Sequence, residues 1–277
     1  MMRTDYKNFT WREAKQLMGT KGNKLPQDCN AVKKPWVKRL NEELVTESVW
    51  VSLINKFGMK VAAEVGVLNG GLMWKVMTGC KNIETYYAID PWKVYVDWSD
   101  DIAMDKQDEF RKDPRSQHRF DQNWYDKMHD KVMVGVKKNE GKIKVIREES
   151  IKGAEKIEDN SLDGIYLDAI HDFPNMINDL WAWMPKVKKN GIVAGHDYYA
   201  RFLGLIRAVD FVFGEDFIIP VDRSGDNYSF NWYIELDGKR NKYMNRIKNK
   251  FPNPTELLVP ENKYMHLEKD FMENLYA

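Results

Sequence analysis

Lys60-Val-Ala-Ala-Glu64-Val-Gly66-Val-Leu-Asn69-Gly70-Gly71-Leu-Met-Trp-Lys-Val-Met77 runs from a short apolar stretch through a glycine-rich turn into residues with helical spacing. An apolar run this brief, closed by glycine and followed by apolar positions at the helix period, reads as strand, turn, helix. The pattern recurs along the chain. Thr85-Tyr-Tyr-Ala-Ile-Asp90 is a second run, 142–146 a third, 162–168 a fourth and 191–195 a fifth. Helical patterns over 123–137, 150–157 and 176–187 lie between most of them. Strands alternating with helices predict an α/β fold, a doubly wound and mainly parallel sheet with helices on both faces. Upstream, Leu40, Leu44, Val45, Val49, Leu53 and Ile54 recur at three and four and predict a helix over 37–57, stopped by Gly58. Downstream, a helix is expected over 205–213. The runs 217–221 and 228–236, joined by Ser224-Gly-Asp-Asn227, then predict an antiparallel hairpin at one edge, bringing the sheet to seven strands.

The chain has 277 residues, enough for one sizeable core with terminal additions. The expected organisation is an N-terminal extension over 1–36, a core domain over 37–236 with 93–122 as a lid or insertion, and a C-terminal extension over 237–277. Thr10 and Glu13 form a capping-box pattern within the first extension. Lys+Arg 43 against Asp+Glu 42 leaves a net charge of +1, so no whole-chain field gathers nucleic acid or anionic lipid. With 43% hydrophobic and 31% charged residues the chain can bury a core, and Lys60, Glu64 and Lys75 interrupt its apolar stretches short of membrane-spanning length. No apolar signal region stands in the first thirty residues, and Cys29 and Cys80 are too few for a disulfide framework. These features predict a cytoplasmic protein that does not engage a membrane. No internal repeat is visible.

In an open α/β sheet the ligand lies beyond the carboxyl ends of the strands, where strand order reverses. The polar residues at or just past those ends are Glu64, Gly66, Asp90, Ser150, Asp168, His171, His196 and Asp197. The glycines around Gly66, Gly70 and Gly71 are spaced G-x-x-x-G-G rather than G-x-G-x-x-G, which argues against a dinucleotide dehydrogenase. A tight turn without a ligand is the plain alternative. Asp90 ends the second strand, where a carboxylate accepts hydrogen bonds from ribose hydroxyls, although an Asp there also serves simply as a turn former. Together the turn and Asp90 point to an adenosine-containing cofactor.

Ala63-Glu64-Val-Gly66, Tyr87-Ala-Ile-Asp90, Glu149-Ser150, Asp163-Gly-Ile-Tyr-Leu-Asp168-Ala-Ile-His171, Asn178-Asp179-Leu180 and Gly195-His196-Asp197-Tyr198 resemble, in order, the motifs of class I S-adenosylmethionine-dependent methyltransferases. The resemblance covers roughly 37–236 and is nearest to the macrocin and catechol O-methyltransferase-like enzymes that act on small molecules and sugars. It implies S-adenosylmethionine as cofactor. Glu64, Gly66, Asn69 and Gly70 would hold its methionine part, Asp90 its ribose with Trp92 alongside, and Glu149 and Ser150 its adenine, with Asp168 beside the reacting end. It also implies a divalent metal (Mg, Mn or Ca) on Asp168, His196 and Asp197. An imidazole in that set shifts preference toward manganese, iron or zinc; alternatively His196 orients the Asp197 loop and no metal is held. His171 stands where the catechol enzymes keep a lysine base. An unperturbed pKa near 6.5 suits it to general-base work.

The activity implied is metal-assisted O-methylation of a small hydroxylated acceptor such as a sugar or glycosylated metabolite, with Asp168 and His171 as the catalytic pair. Within 93–122, Trp92 at the border, Tyr95 and Trp98 are either stacking surfaces or hydrophobic anchors. Lys239, Arg240, Lys242, Arg246, Lys248 and Lys250 come without an acid and are either a phosphate-contacting stripe or a solvated helix. Two alternatives therefore stay open, a nucleic-acid methyltransferase of the same fold and a methyltransferase-like binding module without transfer. The C-terminal extension packs either on the domain or on another subunit, which leaves a homo-oligomer open.

Overall fold

The computed structural model describes residues 48–94, 117–139, 141–198, 202–214, 216–218, 221–224 and 227–253. Thr10, Glu13, Cys29, Tyr95, Trp98, the start of the helix predicted over 37–57 and the C-terminal extension past 253 lie outside the described residues.

The helical elements are α1 (Val49–Phe57), α2 (Gly71–Gly79), α3 (Gln122–Lys138), α4 (Ser150–Glu155), α5 (Phe173–Trp183), α6 (Leu203–Phe213) and α7 (Arg240–Lys250). The strands are β1 (Val61–Val65), β2 (Thr85–Ile89), β3 (Ile143–Ile146), β4 (Leu162–Leu167), β5 (Val187–Gly195), β6 (Val221–Ser224), β7 (Asn227–Phe230) and β8 (Trp232–Glu235). The main sheet has the order β3-β2-β1-β4-β5-β8. Its first five strands are parallel, and β8 returns antiparallel to β5. Strand order reverses between β1 and β4, so the crevice for a ligand opens over the carboxyl ends of those two strands.

Both faces of the sheet are covered, which is why its strands read as continuous apolar runs rather than alternating ones. One face takes Ala63, Val65, Ile165 and Leu167 against α4, α5, α6 and α7. The other takes Ala62, Tyr86, Ala88 and Tyr166 against α1, α2 and α3. On α5, Phe173, Met176, Ile177, Leu180 and Trp183 are buried on one stripe. At roughly 1.5–3 kcal/mol per large apolar side chain, that stripe contributes on the order of 10 kcal/mol before chain entropy is subtracted. The helix begins where the Asp172 side chain accepts the Asn175 N–H at 2.7 Å. A glycine in the left-handed region, Gly58 at φ 60°, ends α1 as its sequence predicted.

The predicted seven-stranded sheet is corrected to six strands among the described residues, and the predicted hairpin is rearranged. β6 and β7 pair only with each other, while the run 228–236 divides at Asn231. That residue is fully buried and accepts a hydrogen bond from the Tyr166 hydroxyl of β4, so the chain bends there and β8 joins the main sheet. What remains of the seventh strand is one bridge, Ile218 to Tyr233, on the outer side of β8. No helix among the described residues is long and apolar enough to cross a membrane.

Candidate cofactor and metal site

Gly66 ends β1 at φ +94°, and its N–H donates to Ile89 O at 2.9 Å. A Cβ at this position would stand 2.0 Å from the Asp168 carbonyl oxygen. The glycine is therefore demanded by the close passage of the β1 and β4 ends, whatever ligand lies above. Beyond it, Leu68 and Gly70 also hold positive φ, 50° and 78°.

Asp90 closes this turn. Its Oδ2 accepts the N–H groups of Val67 at 2.9 Å and Leu68 at 2.8 Å, and its Oδ1 accepts that of Trp92 at 2.7 Å. Burial pushes the carboxyl up from its ordinary value, while the three backbone donors pull the other way. The loop engages both lone pairs of Oδ2 and one of Oδ1, so the carboxylate keeps one acceptor position, on Oδ1, for a ribose hydroxyl. The expected stacking surface on Trp92 is corrected: the ring is buried, its Nε1–H donates to Leu68 O at 2.7 Å, and it meets His129 edge-on at 5.0 Å. At φ 42° Trp92 is a strained backbone position held by these bonds. Its place is under the turn, as a brace. Asn69 caps the turn through Oδ1, which accepts from the Gly71 N–H at 3.0 Å.

Glu64 lies one layer below the position expected of it. Its side chain points into the α1/α2 face, where Oε2 accepts from the Tyr86 hydroxyl at 2.8 Å, and that hydroxyl accepts from Trp50 Nε1 at 3.2 Å. Burial drives the carboxyl well above the usual range, the Tyr86 hydrogen bond lowers it, and the charges of Asp168 and Asp90 raise it further. Sequence reasoning missed Tyr86 and Trp50, although an acid inside a strand flanked by apolar residues was a sign that hydrogen-bonding partners face it.

Past β3, Ser150 turns its hydroxyl inward. Oγ–H donates to Asp179 Oδ1 at 2.5 Å and Oγ accepts from Trp183 Nε1 at 2.9 Å. Glu149 beside it is exposed and pairs with Lys93 at 3.2 Å. The Ser150 hydroxyl, expected to lie by the adenine, is thus engaged by two internal bonds from α5.

Asp168 follows β4 and Asp197 follows β5, which are adjacent parallel strands, so the two acids stand side by side, Asp197 at a positive φ of 58°. His171 completes the group. Its Nε2 stands 3.3 Å from Asp168 Oδ1 and 3.8 Å from Asp197 Oδ2, while its ring packs on Phe202 at 4.6 Å. Ligand atoms of Asp168, His171 and Asp197 all lie within 4.8 Å of one another. Donors about 2.1 Å from a common ion stand roughly 3 to 4 Å apart, so two carboxylates and one imidazole at this spacing fit a divalent cation after a small closure. Of the expected set, Asp168 and Asp197 converge with His171, while His196 stands beside them with Nδ1 2.9 Å from Asp197 Oδ1 and 3.8 Å from Asp168 Oδ1.

The basic segment forms α7. Arg240 donates to the Asn160 side chain at 2.7 Å and to Val187 O at 2.8 Å, Lys242 pairs with Asp216 at 2.6 Å, and Arg246 donates to Val212 O at 2.9 Å. Three of its cations thus serve the fold. Arg240 also sits by the start of β5, where Val187 pairs with Leu162, and the far end, where Gly195 pairs with Leu167, lies five steps of β4 or roughly 17 Å away at about 3.3 Å per residue.

Residues 63–198 match the family described as "Methyltransferase domain". Among solved structures, the chain is similar to spermidine synthase from Thermotoga maritima, at 12% identity over 88% of this chain and 75% of that one, TM-score 0.46. It is also similar to a candidate O-methyltransferase from Klebsiella pneumoniae, at 13% identity over 75% and 95%, TM-score 0.43. A candidate caffeoyl-CoA O-methyltransferase from Staphylococcus aureus gives 11% over 76% and 93%, TM-score 0.44. No curated protein matches the chain. The matched segment runs from within β1 to the residues just past β5 and takes in the glycine turn, Asp90 and the Asp168 cluster, and over it the chain is similar to a methyltransferase domain.

Proposed function

We propose that this chain methylates an oxygen of a small hydroxylated acceptor, a sugar or glycosylated metabolite among them, with S-adenosylmethionine as donor and a divalent cation held by Asp168, His171 and Asp197. The observation that supports the reading is the convergence of those three side chains at the ends of β4 and β5, beside the switch point at which β1 delivers the glycine turn. A divalent ion held there lowers the pKa of a bound hydroxyl.

This chain's own residues supply position. The Gly66–Gly70 turn and Asp90 fix the donor over β1 and β2. Asp168 lies next to Gly66, so the acceptor side begins where the donor side ends. The acceptor oxygen attacks the sulfonium methyl in line; the new O–C bond forms as the S–C bond breaks, its electron pair stays on sulfur, and the hydroxyl proton passes to solvent. His171, 7% exposed and facing both carboxylates, belongs to the cation set, in place of the free base its sequence position suggested.

Transfer of labelled methyl from S-adenosylmethionine to a panel of hydroxylated acceptors tests the reading. Transfer that chelator stops and Mn²⁺ or Mg²⁺ restores supports it; transfer undiminished in excess chelator removes the cation from it.

A further inference from the structure

Asp179 has no part in the chemistry above, yet it is a carboxylate buried in the apolar face of α5, 4% exposed. Burying such a group costs several kcal/mol unless it is bonded, and a leucine at this place would cost the core nothing of that kind. Its partner identifies what it secures. Ser150 donates to Asp179 at 2.5 Å, and Trp183, one turn along α5, donates to the same serine oxygen at 2.9 Å. The serine hydroxyl is held from two sides by α5 at the point where the chain leaves β3 for α4.

That point lies on the line a cofactor must follow. The glycine turn ends β1, Asp90 ends β2, and the Glu149–Ser150 turn follows β3, with the three strands adjacent in that order. Strands about 4.8 Å apart put the β3 turn roughly 10 Å from the glycine turn. A nucleoside with its ribose on Asp90 then extends its base over Ser150. We infer that Asp179 is a positioning residue for the adenine end of the cofactor: through the Ser150 hydroxyl it fixes the backbone of the Glu149–Ser150 turn on which the base rests. This rests on the S-adenosylmethionine reading above and adds to it a residue that does not touch the ligand.

The test is calorimetric titration of the full chain with S-adenosylmethionine and with 5′-methylthioadenosine, which keeps the adenosine and lacks the amino-acid end. Asp179→Leu, which removes the acceptor, and Ser150→Ala should each raise Kd for both ligands by about the same factor, roughly tenfold, the order for one lost hydrogen bond. Asp179→Asn, which keeps an acceptor for Ser150, should restore Kd to within about twofold. The Asp179→Leu/Ser150→Ala double variant should bind no worse than either single one. If Asp179→Leu does not fold, the Ser150→Ala loss and the Asp179→Asn retention still decide. Folded variants whose Kd matches the unmutated chain, with only the melting temperature lowered, overturn the inference and leave the cofactor reading intact. An unmutated chain that binds neither ligand overturns both.

Discussion

Gly66 and Asp168 meet so closely that a β-carbon on the glycine would lie 2.0 Å from the aspartate's carbonyl oxygen. The residue that ends the donor turn and the residue that opens the cation cluster are therefore a single packed contact. Gly66→Ala combines this clash with a φ of +94°. It should destabilise the fold by about 3 kcal/mol or more and disturb both donor and cation binding, measured by urea denaturation and titration. An alanine variant of unchanged stability would mean that the two strand ends part easily.

Asp179 predicts a pH dependence. Burial pushes its carboxyl up to about 7 in the folded protein, against 3.8 for the ordinary group. The folded state therefore binds a proton that the unfolded chain releases between those values. Its contribution to stability is whole below about pH 4 and is lost as pH rises through about 7, on the order of 4 kcal/mol at most. Asp179→Asn should flatten this slope when urea midpoints are compared from pH 5 to 8; an equal slope in the variant would assign it to other groups.

Glu64→Gln keeps a buried acceptor for the Tyr86 hydroxyl and should be tolerated within about 1 kcal/mol. Glu64→Leu should cost more, because the Tyr86 hydroxyl would lose its buried acceptor. Thermal melts of the two variants settle the order, and a leucine variant as stable as the glutamine one would contradict the account of this network.

The parallel sheet was legible because each strand–turn–helix unit announces itself locally, as in Lys60 to Met77, and because polar residues at strand ends mark the crevice without any knowledge of packing. What escaped depends on contacts between distant residues. The division of 228–236 at Asn231 is decided by Tyr166, sixty-five residues away in sequence. The resemblance put Trp92 beside the ribose, but whether its ring faces the crevice or the core depends on Leu68 O and His129. His171 stands three residues past Asp168 and His196 directly before Asp197, and only the approach of β4 to β5 brings a ring nitrogen of each within 4 Å of both carboxylates.

For the cation, bound Mn²⁺ counted by electron paramagnetic resonance should show one ion per chain, lost in Asp168→Ala and Asp197→Ala and weakened about tenfold or more in His171→Ala. His196→Ala should weaken it less, since its nitrogen acts through Asp197. Equal losses at the two histidines would place His196 in the ligand set after all.

Binding of S-adenosylmethionine at Asp90 tests the central claim most directly. Calorimetric titration of the full chain should give one saturable site, and Asp90→Ala should weaken it by about 2 kcal/mol, roughly thirtyfold in Kd, through loss of both the ribose acceptor and the bonds to Val67, Leu68 and Trp92. An affinity unchanged by Asp90→Ala, or no binding to the unmutated chain, would contradict it.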